Sequence, residues 1–287
     1  MNARLVSRVL SIANQILFPD RIFPKPVSSI RPMLKIEGAA MSIVIITGGS
    51  RGIGASTALA CAERGMGVVL TFNANPKAAE KVVERIRQQG GQATALKLDV
   101  ADTASFPSFR DEVARRLEMV WNKDCFDVLV NNAGFGQFNP IVSVTENEFD
   151  ALYRVHLKGP FFLTQTLLPL MVDGGHIVNI GSATTRIATS GVAPYASFKG
   201  GLEVLTRYMA KEFGDRRIRA NSIAPGAIRT DLGGGLNDDF EALLAGQTAL
   251  GRIGEPDDVG AMIASLLGDD NRWVNAQNIE VSGGYII

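Results

Sequence analysis

The chain has 287 residues, of which 46% are hydrophobic and 20% charged, and its 29 basic side chains balance 29 acidic ones. That length suits one large domain with a substantial core. A net charge of zero argues against nucleic acid or an anionic membrane as partner, and no run of about 18 apolar residues marks a membrane span. The two cysteines, Cys61 and Cys125, make no disulfide framework and point to a reducing, cytoplasmic setting.

Residues 1–40 differ from the rest of the chain. Arg4, Arg8, Arg21, Lys25, Arg31 and Lys35 face only Asp20 and Glu37, so the segment is basic and the remainder acidic. Leu5, Val9, Ile12, Ile16 and Leu17 fall near one face of an amphipathic helix over 3–18, after which Pro19, Pro24, Pro26 and Pro32 forbid a long element. Three readings are open: a presequence containing Arg and Ser, an arm packed on the domain or on a second subunit, or a translated leader ahead of a start at Met41. The last is preferred, because codons for Glu37-Gly38 would place a purine-rich stretch a few bases upstream of Met41, as a bacterial ribosome-binding site would. The expected division is 1–40 as an extension and 41–287 as the domain.

From Met41 the chain alternates strand and helix. Ser42–Thr47 is a β-branched run, a buried parallel strand by composition. Gly48-Gly-Ser-Arg-Gly-Ile-Gly54 follows at once, and a helical pattern runs from Ile53 to about Arg64. A strand, a glycine turn and a helix N-terminus form a phosphate site, since free N–H groups and the helix dipole both face the anion. The spacing is T-G-x-x-x-G-x-G, because position 57 is Thr.

Gly67–Phe72 is predicted as the second strand, and 77–89 as a charged helix ended by Gly90-Gly91. Thr94–Asp99 is the third strand. A helix entered through Pro107 then runs to about Val120, where Trp121 and Cys125 close a small apolar cluster. Phe126–Val130 is the fourth strand, terminated by Asn131-Asn-Ala-Gly134. Thr145-Glu-Asn-Glu148 is a capping box that starts a helix to about Met171, kinked at Pro160. Gly175–Gly181 is the fifth strand, with Ser182 at its end.

A long helix then opens at Ala193 and runs to Phe213. It carries Tyr195 and Lys199 one turn apart, about 6 Å along the axis. An ammonium beside a phenol favours phenolate and lowers a pKa that starts near ~10, which suits a general acid/base for an alcohol–carbonyl pair. Ile218–Ala224 is the sixth strand, followed by Pro225-Gly226. Gly233-Gly-Gly235 begins a hinged segment of the kind that orders over substrate, with a short helix from Asp238 to Ala245. A helix over 255–267 and a strand over 277–281 complete the chain. The fold class is α/β: a single doubly wound, Rossmann-type domain with a seven-stranded, mostly parallel sheet and helices on both faces.

Thr47-Gly48-x-x-x-Gly52-x-Gly54, Asn131-Asn132-Ala133-Gly134, Ser182, Tyr195-x-x-x-Lys199 and Pro225-Gly226 occur in the order and rough spacing of the short-chain dehydrogenase/reductase family, which 41–287 therefore resembles. The resemblance implies nicotinamide chemistry on a carbonyl or alcohol. It places Gly48, Ser50, Arg51, Gly52, Ile53 and Gly54 at the cofactor phosphates. Asp99 and Val100 fall at the adenine, although Asp99 also reads as a helix cap ahead of Thr103. Asn132, Ala133, Gly134, Pro225, Gly226, Ile228 and Thr230 fall along the rest of the cofactor. The second strand ends in Phe72-Asn73-Ala74-Asn75, with no acid to accept from a ribose 2′-hydroxyl. Asn73 is therefore a neutral contact and Arg51 a partner for a 2′-phosphate, so NADP(H) is expected over NAD(H).

The same resemblance makes Tyr195 the general acid/base, Ser182 the group that polarises the substrate oxygen, and Lys199 the ribose anchor that lowers the tyrosine pKa. Where relatives carry an Asn that holds a water near the lysine, this chain has His156, expected as a catalytic residue that refills the proton at Lys199, with plain packing as the alternative. Phe135, Phe138, Ala183, Thr184, Val192, Ala227 and Leu232 are the expected substrate pocket, with no cationic anchor; no metal is expected. Two other functions remain open: a 3-oxoacyl-thioester (acyl-carrier-protein) reductase, and a catalytically silent NADP-binding sensor or scaffold. Relatives pair through the long helices, here 149–171 and 194–213, so a homodimer or homotetramer is expected.

Overall fold

The computed structural model describes residues 41–235 and 237–287; the helix expected over 3–18 lies outside them. Seven strands, β1 (Ile43–Ile46), β2 (Gly67–Phe72), β3 (Ala93–Lys97), β4 (Phe126–Asn131), β5 (Met171–Ile180), β6 (Arg219–Pro225) and β7 (Asn278–Val281), make one sheet in the order β3-β2-β1-β4-β5-β6-β7. Every pairing is parallel. The order reverses between β1 and β4, and in open parallel sheets the carboxyl edge at that reversal is where ligands enter.

Eight α-helices connect the strands: α1 (Gly52–Glu63), α2 (Pro76–Gln88), α3 (Phe106–Trp121), α4 (Glu146–Tyr153), α5 (Gly159–Leu167), α6 (Ala193–Glu212), α7 (Asp238–Gly246) and α8 (Pro256–Leu266). The central strands read as continuous apolar runs because both faces are covered. Ile43 and Ile45 enter one core with Phe106, Leu117 and Leu163. Val44 and Ile46 enter the other with Ala58, Cys61, Val83 and Val259. Both cysteines are free.

Three local departures from the sequence reading have physical causes. The helix expected from Thr145 to about Met171 is four pieces, ending in a 3₁₀ turn over Leu168–Leu170: the capping box on α4 is present, but Arg154–Lys158 is a π-turn whose last step is Gly159 N–H to the Arg154 carbonyl. Pro160 has no N–H to return to the His156 carbonyl, so the ladder widens by one residue ahead of it. Second, β5 begins at Met171, which pairs with Phe126 before the register shifts ahead of Val128. Third, Asp99 does not cap the turn before α3. Asp102 does, accepting from Ala104 N–H at 3.2 Å, while the Asp99 carboxylate turns back on Ala101 N–H at 2.9 Å.

Candidate active site

The glycine turn is built for close approach. Gly48 and Gly52 have φ of +64° and +54°, where a side chain is strained. A Cβ on Gly54 would collide with the Gly48 carbonyl oxygen and lie 2.5 Å from Asn132 Nδ2. The N-terminus of α1 has neither a side-chain cap nor an acid in its first turn. Its leading N–H groups, on Gly52, Ile53 and Gly54, thus have no intrahelical acceptor. Dipole, free donors and a surface without side chains fit a diphosphate.

Thr47, quoted with the glycine motif but not expected as a contact, is the hub beneath this turn. Its hydroxyl accepts from the N–H groups of Asn132 at 2.9 Å and Ala133 at 3.0 Å. Asn132 Nδ2 returns to the carbonyl of Thr47 at 2.8 Å and of Gly48 at 3.2 Å. The motif at the end of β4 is therefore tied to the turn after β1 across the point where the strand order reverses. Asn131 turns the other way: its amide donates to Asn179 Oδ1 at 2.8 Å on β5 and to Thr164 Oγ1 at 3.2 Å on α5. These buried pairs hold β4 and β5 level at their carboxyl ends, on the strand that leads into Ser182.

Ser182 follows β5 and is 8% exposed. Its hydroxyl oxygen accepts from Thr184 N–H at 3.2 Å and from Thr184 Oγ1 at 2.9 Å. With two acceptances satisfied, the Ser182 O–H is left to donate outward. Lys199 on α6 is buried and donates from Nζ to the Ile180 carbonyl at 2.6 Å. Its ammonium lies 5.6 Å from the Tyr195 ring centroid. Strand end and helix thus converge, bringing Ser182, Tyr195 and Lys199 together; spacing implied this for the last two and the family resemblance for Ser182.

The electrostatics correct one expectation. Burial pushes the Tyr195 phenol up to about 12, opposed by Ser182, and pushes the Lys199 ammonium down to about 7. The expected lowering of the phenol by Lys199 does not result from the chain's own groups. Desolvation leads both shifts, and Ser182 is the group that opposes it at the phenol.

His156 sits in the π-turn, 1% exposed. Its Nε2 shares a hydrogen with the Phe135 carbonyl at 2.8 Å, and its ring meets Tyr195 edge-on at 5.0 Å between centroids. Burial, with the nearby Lys199 charge, pushes its pKa down to about 3. The ring is therefore neutral, Nε2 carries the proton toward the Phe135 oxygen, and Nδ1 is a buried acceptor without a partner among the described residues.

The remaining expected contacts spread along the same edge. Phe135 packs on His156 at 5.5 Å. Phe138 is 62% exposed and lies over Gly191, while Asn139 N–H bonds the Gly191 carbonyl at 2.8 Å, which brings the loop after β4 beside buried Val192. Ala183 is buried and Leu232 exposed. Asn73 and Asp99 are exposed and Val100 buried at the ends of β2 and β3. After β6, Ser282 stands against Gly226, Gly254 N–H bonds the Ala227 carbonyl at 2.8 Å, and Ile228 bridges to Gly254. Thr230 rests its methyl 3.4 Å from the Cβ position of Gly52. The segment after Pro225 thereby crosses the glycine turn, where Asp231, absent from the expected contacts, pairs with Arg51 at 3.3 Å.

Residues 48–286 match the enoyl-(acyl carrier protein) reductase family. Versicolorin reductase 1 of Aspergillus parasiticus is 34% identical over 257 residues, 84% of this chain and 95% of that protein. The 3-oxoacyl-(acyl-carrier-protein) reductase of Staphylococcus aureus strain Mu50 is 35% identical over 243 residues, 84% of this chain and 96% of its own. Among solved structures, the angucycline C-6 ketoreductase LanV with bound NADP is 32% identical, with a TM-score of 0.81 over 85% of this chain and 95% of that one.

Proposed function

The chain belongs to the short-chain dehydrogenase/reductase family and is an oxidoreductase of carbonyl and alcohol groups, and we propose that it works with NADP(H) and with Tyr195 as proton donor. The single observation that carries the assignment is the convergence of Ser182, Tyr195 and Lys199 at the carboxyl edge of β5, beside a glycine cradle. In the reducing direction the cofactor, when bound, supplies a hydride to the carbonyl carbon. The chain's own residues do the rest. Ser182, its hydroxyl oriented by Thr184, donates to the carbonyl oxygen and holds it beside the phenol. As the C=O π bond breaks, Tyr195 O–H gives that oxygen its proton and the alcohol forms.

Lys199 would meet ribose hydroxyls, with Gly48, Ser50, Gly52, Ile53 and Gly54 at the diphosphate. The further contacts are Asn73, Asp99, Val100, Asn132, Ala133, Gly134, Pro225, Gly226, Ile228 and Thr230. Support for NADP(H) comes from Arg51 in the turn, the acid-free end of β2, and the NADP bound to LanV. His156 is read as a positioning residue: a neutral ring bonded to Phe135 steadies the loop after β4 and stands against Tyr195. It does not carry charge, because burial, and after it the Lys199 ammonium, disfavours an imidazolium there.

For substrate, the reading favours an aromatic polyketide-like ketone, held by Phe135, Phe138, Ala183, Thr184, Val192, Ala227 and Leu232. Versicolorin reductase 1 and the angucycline C-6 ketoreductase LanV support it. The 3-oxoacyl-thioester reading retains the support of the Staphylococcus aureus relative. NADPH consumption on a hydroxynaphthalenone, an anthraquinone and an acetoacetyl thioester separates the two: turnover on the thioester alone would reverse the preference. A homodimer or homotetramer is also proposed, supported by Phe149, Tyr153, Phe161, Phe162, Val204 and Tyr208, all exposed on α4–α6; light scattering tests it. The division at Met41 is tested by N-terminal mass spectrometry of the natively expressed protein.

A further inference from the structure

Arg51 lies on the extended residue that precedes α1, with its side chain 65% exposed. Its ion-pair partner is Asp231, Nη1 to Oδ2 at 3.3 Å, the carboxylate itself 78% exposed. The two residues are 180 positions apart, so nothing local holds them together. The fold around Asp231 does. Arg229 N–H bonds the Gly254 carbonyl at 2.8 Å, and its guanidinium pairs with Glu255 at 2.9 Å and with Glu241. Thr230 rests on Gly52. Asp231 then heads the short turn Leu232–Gly234, closed by Gly234 N–H to the Asp231 carbonyl at 3.2 Å. Its carboxylate is thereby set over the glycine turn, at the guanidinium proposed to receive a 2′-phosphate.

We propose that Asp231 is a specificity-determining residue for the cofactor: its carboxylate competes with a ribose 2′-phosphate for Arg51, and so restrains the preference for NADP(H) over NAD(H). The inference rests on the reading of Arg51 as the 2′-phosphate partner. Asp231 engages Arg51 through Nη1, a donor that a dianion, the better bidentate partner, would otherwise use. Binding of NADP(H) brings a dianion beside the Asp231 carboxylate and into competition with it for Arg51 Nη1. NAD(H), with a neutral 2′-hydroxyl, meets neither cost. The end of β2 carries no acid to reject the phosphate, so Asp231 is the acid paired with Arg51 among the described residues. An exposed pair makes the effect modest, about fivefold in dissociation constant, and salt-dependent.

Isothermal titration of the full chain with NADPH, NADH and adenosine 2′,5′-bisphosphate tests this, in wild type, Asp231→Asn, Arg51→Ala and the double variant. Asp231→Asn should tighten NADPH and the bisphosphate about fivefold while leaving NADH within about twofold. Its effect should vanish on the Arg51→Ala background, as required of two residues acting through one contact. Selective loss of NADPH in Arg51→Ala together with an inert Asp231→Asn would overturn the role of Asp231 and leave Arg51 standing. Arg51→Ala weakening NADPH and NADH alike would overturn both. Equal tightening of NADH by Asp231→Asn would show general charge relief rather than competition, and would also overturn the proposal.

Discussion

Lys199 Nζ donates to the Ile180 carbonyl at 2.6 Å, which ties the catalytic helix to the end of β5 two residues before Ser182. The contact fixes the lysine by a group that cannot change charge, while burial pushes its ammonium down to about 7. Because kcat/KM reports the ionisations of the free protein, kcat/KM for NADPH should fall as pH rises through about 7, where the ammonium loses its proton. Lys199→Arg keeps its charge throughout and should lack that limb even if slower overall. An identical limb in the arginine variant would assign the titration elsewhere.

Thr184 donates twice to Ser182 Oγ, and only one of those bonds uses its side chain. Thr184→Val removes the Oγ1 donor at nearly constant volume, freeing the serine hydroxyl to turn. A drop in kcat of roughly fivefold, the size of one lost hydrogen bond of about 1 kcal/mol, with unchanged NADPH affinity, is the expected result. Steady-state kinetics beside a binding titration checks it, and an equal loss in both quantities would mean that Thr184 acts on the cofactor site instead.

Gly54→Ala places a methyl against the Gly48 carbonyl and 2.5 Å from Asn132 Nδ2, both held in the Thr47 network. Neither neighbour is the free end of a long side chain, so the turn must shift. Thermal melts should show destabilisation of roughly 1–3 kcal/mol, and NADPH binding should weaken by more than tenfold. Retained affinity would argue that the cradle does not approach the cofactor closely.

His156 and His176 are both pushed down to about 3 by burial, with Lys199 and Arg219 as the neighbouring charges. Their folded pKa values lie below the unfolded value of about 6.5, so between about 3 and 6.5 the unfolded chain binds more protons. Stability therefore rises with pH across that window and is lost as pH falls through it. His156→Asn removes one of the two contributions. Urea unfolding at a series of pH values should give a shallower acid loss for the variant. Parallel profiles would mean that His156 is already charged in the folded protein.

The strand–helix alternation was legible because each central strand is a short β-branched run bounded by glycine or asparagine, as in Ile43–Ile46 before Gly48 and Phe126–Asn131 before Gly134. Helical spacing placed Tyr195 and Lys199 on one face, whereas Ser182 joined them only through the family resemblance. What escaped depends on contacts distant in sequence or on depth. The Arg51–Asp231 pair spans 180 positions and has no local signature. The capping role passed from Asp99 to Asp102 because two acids three residues apart are equally good caps on paper. Pro160 signalled a break, but whether a helix answers with a kink or with a π-turn is decided by what packs on it; here Gly159 sits against the Val100 carbonyl. The sign of the Tyr195 shift was misjudged because spacing reveals the neighbouring charge and not the burial that outweighs it.

The most direct test compares wild type and Tyr195→Phe in two measurements on one sample, NADPH affinity by titration and kcat for a ketone that the wild type reduces. The phenyl ring keeps the packing against His156 and removes only the transferable proton. The account predicts an NADPH dissociation constant within about twofold of wild type and a kcat lower by roughly a thousandfold, within the range for loss of a general acid. A variant that binds NADPH normally and turns over near the wild-type rate would contradict it.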